Sequence, residues 1–408
     1  MIRVLYIHPV GADGGATRSL SELYQGFPEG TVYGVAISPS GGASSTLAAA
    51  GMHVVEAQGI AKWDDTRFGH YRGLRWLILL RELAYLPTTL LAIWRARKLE
   101  PFDLIHCNEL PVLIPGLIAR RWLGVPLIIH VRSLQRGDSG GQITRWISHL
   151  LRANAEAIIA IDEAVRRTLP NNLDVTVVHN ALSAPVGMSN HSADDEFRIG
   201  IVGVLHRAKG VYELVEAVRI LRERGVRVRL FVVGRNVHDL SGLRGWLLKR
   251  LKFADDVRAD LTQLIQDYEL GEYVKFTGFV DDIGAIYRAL DAVCFPSHAD
   301  APGRPVFEAA LYGLPAIVAM RDPTDDVIEH GVTGICIDAP CPDLIADAIQ
   351  SLAADRDMAR RMGNVAHARA TQRFERSIVA GKILGVYRAV IDARTKRRQG
   401  QLSRTSDD

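Results

Sequence analysis

The chain has 408 residues, 48% apolar and 23% charged, with a formal net charge of +3. That length predicts two domains of ordinary size, each with its own core. A near-neutral balance argues against nucleic acid as a partner. The four cysteines, Cys107, Cys294, Cys336 and Cys341, lack metal-ligand spacing and point to a reduced, cytoplasmic compartment. Three of them, in or beside apolar runs, read as small buried side chains.

Strand-like Val4–Ile7 begins too early for a signal peptide to precede it. It leads into the Gly-rich turn Pro9–Ala16 and a helix over Thr17–Tyr24. Further strands are expected at Val32–Ile37, His53–Glu56, Leu104–Cys107, Leu127–Val131, Ala157–Ala160 and Val175–Val178. Helices fall between them, notably Pro111–Trp122 and Gln142–Asn154. Alternation of this kind implies an α/β domain with a parallel sheet.

The segment Leu74–Trp94 is rich in Leu, Ile and Trp, with Arg75, Arg81, Arg95, Arg97 and Lys98 around it. Arg81, Glu82 and Pro87 argue against a spanning helix. Two readings stay open: a helix pair packed in the core, or a basic amphipathic face resting on anionic lipid. The core reading is favoured, because apolar helices routinely cover parallel sheets.

Ser183–Glu196 is polar and aperiodic and reads as a linker, after which the alternation restarts. Strands are expected at Phe197–Val202, Val228–Val233, Tyr273–Phe276, Ala292–Phe295 and Ala316–Ala319. Helices are expected at Val211–Arg224, Asp282–Leu290, Val306–Tyr312, Asp343–Ala353 and Phe374–Ala393. Asn236–Leu270 is a basic, partly helical insertion, and the polar tail from Thr395 is expected to be disordered. The domains are set at 1–185 and 186–375. A helix at 376–394 returns to the first, and the tail is 395–408. Ligands of such paired Rossmann-like domains bind at the carboxyl ends of the strands.

Pro296–Gly313 leaves an apolar strand through Pro, Ser and Gly into a helix, a start suited to phosphate. Its carboxylates, Asp300 and Glu308, suit hydroxyl groups instead, so phosphate and polyol together suggest a sugar nucleotide. Gly203–Gly210, reading GVLHRAKG, offers Arg207 and Lys209 to a diphosphate. Gly14-Gly15 permits close backbone approach to a ligand, but without a full G-x-G-x-x-G it supports no nicotinamide or flavin site, and a plain tight turn explains it equally well. Arg132 and His130 end one strand, with His106 and Asn108 at the end of another, on the side expected to face a cleft. Aspartate pairs such as Asp64-Asp65 and Asp325-Asp326 read as caps and solvated loops rather than metal ligands.

Taken in order, GVLHRAKG, FVVG at Phe231, VKFTGFVDDI at Val274, DAVCFPSHAD at Asp291, GRPVFEAALYGLPAIVA at Gly303 and EHGVTGICID at Glu329 resemble the nucleotide-sugar domain of the family-4 retaining glycosyltransferases. The amino-terminal half matches more loosely, through Gly14-Gly15, LIHCNE and VVHNAL at Asn180. The resemblance implies a GT-B fold, two Rossmann-like α/β domains facing across a cleft. It implies that Glu308 binds the ribose hydroxyls and Asp300 sits by the donor sugar. Lys209 and the backbone of Gly203, Gly303, Arg304, Pro305 and Val306 would hold the diphosphate, and Phe279 and Val280 the base. Asp300, Glu308, Arg132 and Lys209 would form the catalytic set. No metal or cofactor is implied, since the donor is itself a nucleoside-diphosphate sugar. The chain departs from the family pattern at Asp300, where Glu is usual, at Val204, where Arg is usual, and at Arg132, where His is usual. Pro305 lacks an N–H.

The expected activity is therefore transfer of a sugar, with retention and without metal, to a saccharide or lipid-linked acceptor. A surface-polysaccharide intermediate would suit the apolar, basic stretch, and so would peripheral contact with the inner membrane face. A non-catalytic sugar-nucleotide-binding protein and a sugar-nucleotide epimerase are the alternatives.

Overall fold

The computed structural model describes residues 1–405 except 68, 72–75, 138–140, 184, 186, 190–194, 235–255, 279 and 281. Parts of the expected linker, most of the insertion, Arg75 and Phe279 thus lie outside the described residues. The chain divides into two compact units, Met1–Ser183 with Arg373–Asp408, and Ala184–Gln372.

The first unit is built on seven parallel strands, β1 (Ile2–Ile7), β2 (Val32–Pro39), β3 (His53–Ala57), β4 (Leu104–Cys107), β5 (Leu127–Val131), β6 (Ala157–Ala160) and β7 (Val175–Val177). Their order is β3-β2-β1-β4-β5-β6-β7. Along β1, Leu5 and Ile7 enter one core while Val4 and Tyr6 enter another, the alternation of a strand covered on both faces. Helices α1 (Gly15–Gln25) and α2 (Gly42–Ala49) cover the face with Val4 and Tyr6, through Leu20, Leu23 and Leu47. After α3 (Trp76–Ala84), the helices α4 (Leu86–Arg97), α5 (Leu113–Leu123) and α6 (Gly141–Asn154) cover the other face, through Ile93, Ala119 and Ile147. A short α7 (Glu163–Arg167) joins β6 to β7.

Helix α3 overturns the core reading of the Leu- and Trp-rich segment. Its one buried residue is Glu82, whose carboxylate accepts from Arg81 Nη2 at 2.6 Å. Only α4 packs inward, through Thr89, Ala92, Ile93 and Ala96. Composition marks both helices as apolar, but only α4 buries apolar side chains against the sheet.

In the second unit six parallel strands run in the order β10-β9-β8-β11-β12-β13. They are β8 (Phe197–Val202), β9 (Val228–Val233), β10 (Val274–Gly278), β11 (Ala292–Phe295), β12 (Ala316–Ala319) and β13 (Gly334–Ile337). Among the described residues its helices include α8 (Val211–Glu223), α9 (Val257–Asp267), α10 (Ile283–Ala289), α11 (Arg304–Leu311) and α12 (Pro342–Ala354). Helix α13 (Arg356–Phe374) is a further element that polarity hides, because it buries mainly Ala359, Met362, Ala366 and Ala370. The final α14 (Arg376–Thr405) packs Val379, Ala380, Ile383, Tyr387 and Val390 into the first unit. This helix continues through the segment expected to be disordered, where Arg, Lys and Gln are good helix formers. Cys107 and Cys294 are buried, while Cys336 and Cys341 are half-buried.

The strand order of each parallel sheet reverses at one place, between β1 and β4 and between β8 and β11. Connections leave these neighbours in opposite directions, which opens a crevice at their carboxyl ends.

Candidate functional site

In the second unit the loops after β8 and β11 are bound to each other. The His298 N–H donates to the Ala208 carbonyl at 2.9 Å, and Ser297 Oγ donates to the same oxygen at 3.2 Å. Gly210, with φ of 73°, lies so near the Pro296 carbonyl that a Cβ would come within 1.9 Å of its oxygen. Only glycine is accommodated there.

Lys209 ends the 3₁₀ turn Arg207–Lys209, whose start is capped by His206 Nδ1 accepting from the Ala208 N–H at 3.1 Å. Its ammonium lies against Gly203, where a Cβ would meet Nζ at 2.6 Å, and 5.9 Å from the Phe295 ring centre. It makes no hydrogen bond or ion pair among the described residues. Burial lowers its pKa below the ordinary lysine value. A desolvated cation without a counter-charge is unfavourable by itself and is relieved by an anion. Arg207 instead lies over the Tyr212 ring, 5.0 Å from its centre.

Glu308, in the second turn of α11, is held from two sides. Oε1 accepts from Arg304 Nε at 2.6 Å, and Oε2 accepts from the Tyr287 hydroxyl at 2.7 Å. Tyr287 is buried and stacks on Tyr312, with ring centres 5.1 Å apart. Burial first, then the Glu308 charge, holds its phenol well above the usual range, so it stays a donor. A carboxylate has about four lone-pair sites, so Glu308 keeps capacity for further hydroxyls while its rotamer is fixed.

The start of α11 offers less backbone than a bare helix end. Pro305 has no N–H, and the Val306 N–H already donates to the Gly303 carbonyl at 3.0 Å. Asp300 has φ of 54°, a left-handed conformation that Asp tolerates better than most residues. Its Oδ1 accepts from the Arg321 N–H at 2.9 Å, tying this loop to the end of β12. Val280 packs against the core cluster that contains Val202, Val233, Tyr287 and Val293. The Gly234 N–H donates to the Gly278 carbonyl at 2.9 Å, and Gly203 N–H to Val233 at 2.8 Å, so β8, β9 and β10 end together.

The first unit carries a different arrangement at its switch point. Arg132 donates from Nε to Asn108 Oδ1 at 2.9 Å, from Nη1 to Asn180 Oδ1, and from Nη2 to His130 Nδ1 at 3.2 Å. A guanidinium only donates, so it fixes the direction of every bond behind it. His130 Nδ1 is an acceptor, shared with His106 Nε2–H at 3.2 Å. His106 Nδ1 then accepts from the Tyr387 hydroxyl at 2.6 Å, which in turn accepts from Tyr6 at 3.1 Å. With Oδ1 taken by Arg132, Asn108 presents Nδ2 to His8 Nδ1 at 2.9 Å. The three imidazoles are neutral. Burial, then the Arg132 charge, brings His8 and His106 down to about 3 and His130 well below its ordinary value. Glu109 is buried and raised by that burial, although it accepts from the Arg132 and Leu110 N–H groups and from Ser133 Oγ.

Gly14 caps α1, and nothing lies within 4 Å of a Cβ built at Gly14 or Gly15, so this turn is open. A separate cavity of about 830 Å³, lined by Arg120, Arg121, Arg152 and Arg394, sits at the amino ends of β5 to β7. It lies at the opposite end of the sheet from Arg132.

Within the second unit the structure brings Gly203, Lys209, Gly303, Arg304, Glu308 and Asp300 to neighbouring strand ends. Sequence reasoning missed Tyr287, the Arg304 side-chain pairing, and the ties of Arg132 to Asn180 and of His106 to Tyr387. Tyr287 precedes Glu308 by 21 residues, and Tyr387 follows His106 by 281. No spacing rule connects them.

Two family models match the chain: "Glycosyl transferase 4-like domain" over residues 14–181 and "Glycosyl transferases group 1" over residues 188–369. A D-inositol 3-phosphate glycosyltransferase of Pseudarthrobacter chlorophenolicus is 29% identical over 330 residues, 74% of each chain. A glycogen synthase of Mycobacterium tuberculosis is 22% identical over 304 residues, 70% of this chain and 69% of that one. The crystal structure of Anabaena Alr3699/HepE in complex with UDP-glucose superimposes with a TM-score of 0.72 at 21% identity, covering 95% of this chain and 100% of that one. It shares the two-domain α/β GT-B fold.

Proposed function

We propose that this chain, which belongs to the group 1 glycosyltransferases of the family-4 kind, moves a hexose from a nucleoside diphosphate to an acceptor hydroxyl with retention and without metal. The observation that carries the donor assignment lies in the second unit. On the joined loops after β8 and β11 stand the unmatched ammonium of Lys209 and the fixed carboxylate of Glu308. The cation suits a diphosphate and the carboxylate suits ribose hydroxyls.

As the glycosidic bond breaks, the leaving diphosphate gains negative charge, and Lys209 stabilises that charge more than it does the ground state. A charge-assisted hydrogen bond contributes about 1.5–3 kcal/mol. The acceptor hydroxyl attacks from the face the leaving group departs, and its proton passes to a leaving phosphate oxygen. Asp300 lies by the sugar, and the Val280 segment takes the base. The acceptor is a saccharide on a lipid-linked or surface-polysaccharide intermediate, received by the first unit in the cytoplasm. The Anabaena relative, crystallised with UDP-glucose, makes UDP-hexoses the first donors to try.

The test is incubation of the full chain with labelled UDP-, GDP- and ADP-sugars. One donor should release nucleoside diphosphate, and Glu308→Ala should abolish the release. If no donor exceeds the Glu308→Ala background, catalysis is excluded. Tight calorimetric binding without turnover would leave a binding protein, and conversion of the free donor to its epimer an epimerase. The anomeric configuration of the product, read by NMR, tests retention.

A further inference from the structure

We infer that the helices α3 to α6 of the first unit form a docking surface for an anionic lipid bilayer. This deepens the reading above by naming a partner for the enzyme.

Helix α3 is turned outward. Leu77 and Leu80 are each 63% exposed and Leu83 53%, while the one buried residue is the carboxylate Glu82. A water-facing helix that hides its only acid under Arg81 and offers leucines to solvent is complementary to a phase that is apolar inside and negative at its rim. The neighbouring helices repeat the theme. Trp76, Trp94, Trp122 and Trp146, one on each of α3, α4, α5 and α6, are all at least 42% exposed. The inner sides of α4, α5 and α6 enter the same core, so their outer sides form one layer. Tryptophan with one apolar and one polar edge suits the headgroup level.

Charge selects the partner. These four helices contain seven arginines, Arg81, Arg95, Arg97, Arg120, Arg121, Arg145 and Arg152, and one acid, Glu82. Lys98 follows, with its ammonium 3.5 Å from the Trp94 ring centre. An anionic leaflet matches that imbalance, and a neutral apolar protein face does not.

The surface lies on the bilayer and does not cross it. Trp76–Arg97 is long and apolar enough to span by composition. However, Thr89, Ala92, Ile93 and Ala96 are locked into the first unit. The nine residues of α3 reach about 14 Å, against roughly 30 Å of hydrocarbon.

Co-sedimentation of the full chain with vesicles tests this, using pure phosphatidylcholine and phosphatidylcholine with one quarter phosphatidylglycerol. Binding to the anionic vesicles should exceed that to neutral ones by roughly tenfold or more and should weaken with salt. Replacing Leu77, Leu80 and Leu83 together by Ser should lower it on the order of a hundredfold. Arg95→Gln, Arg121→Gln and Arg145→Gln combined should do the same for anionic vesicles alone. All six side chains are exposed, so melting temperatures should not change. The proposal is overturned if the wild type stays in the supernatant with both vesicle types, or if the variants sediment like it. It is also overturned if ultracentrifugation shows a dimer that the leucine variant dissociates, since the face then belongs to a second copy. Donor turnover, measured in parallel without vesicles, depends on the second unit. A failed docking surface is therefore distinguishable from a failed transferase assignment.

Discussion

The two sheets repeat one strand order, yet the polar groups at their switch points are in opposite states. In the first unit Arg132 is engaged by Asn108, Asn180 and His130, and the chain of bonds ends on Tyr6. In the second, Lys209 has no hydrogen-bond or ion-pair partner among the described residues, and Glu308 is oriented with acceptor capacity left over. A network whose members hold one another specifies a core, although the buried Nε2 of His130 finds no partner among the described residues, whereas groups with unfilled valence are where a ligand gains most. The same topology thus carries an internally bonded cluster in one half and a pair of groups with unfilled capacity in the other.

The largest expected effect comes from removing the receptive cation. Lys209→Met should lower kcat/KM by roughly a hundredfold or more and leave the melting temperature unchanged or slightly higher, because a desolvated charge is removed. A large fall in melting temperature with turnover intact would place Lys209 with the structural groups and break the contrast.

Arg132→Met should show the reverse. Each orphaned acceptor costs about 1–3 kcal/mol, so denaturant titration of the first unit should show a loss on the order of 3 kcal/mol. Arg132→Lys should not rescue it, since one ammonium cannot serve three partners arranged around a planar fork. If stability holds and donor turnover collapses, Arg132 is a reacting-centre cation after all.

Acid should separate the units next. A free imidazole takes a proton near pH 6.5, but His8 and His106 resist protonation down to about 3. The unfolded chain therefore binds more protons below about pH 6.5, and each such histidine contributes stability that is complete above that pH and lost progressively toward pH 3. Amide exchange at pH 7 and pH 5 should show protection falling in β1, β4 and β5 while the second sheet changes less. Equal loss in both sheets would remove the histidines from the explanation.

The smallest effect is expected for Tyr387→Phe, which deletes the hydrogen bonds to His106 and from Tyr6 and keeps the packing of α14, at a cost of about 2 kcal/mol. No change in either unit's melting would mean that the ring alone holds α14 in place.

Much of the fold was legible because burial imposes periodicity. Leu5 and Ile7 against Val4 and Tyr6, or Ile383 and Tyr387 one turn apart, write their environment into the chain. Helix α13 escaped because alanines bury well without raising local hydrophobicity. Helix α3 was misread for the opposite reason: Leu77 and Leu80 have core chemistry at exposed positions. Local composition states what a side chain prefers, and only the packing states whether the preference is met.

The sequence by itself determined the two parallel sheets, the family resemblance, and the loops where Lys209 and Glu308 stand, since each depends on local spacing along a strand, turn and helix. Tertiary structure decided that Lys209 has no hydrogen-bond or ion-pair partner among the described residues while Arg132 holds Asn108, Asn180 and His130, that Tyr287 and Arg304 fix the Glu308 carboxylate, and that α3 faces outward. Those facts depend on which groups meet across tens to hundreds of residues. The number of partners a charge acquires is set by that meeting, which the identity of the charge does not encode.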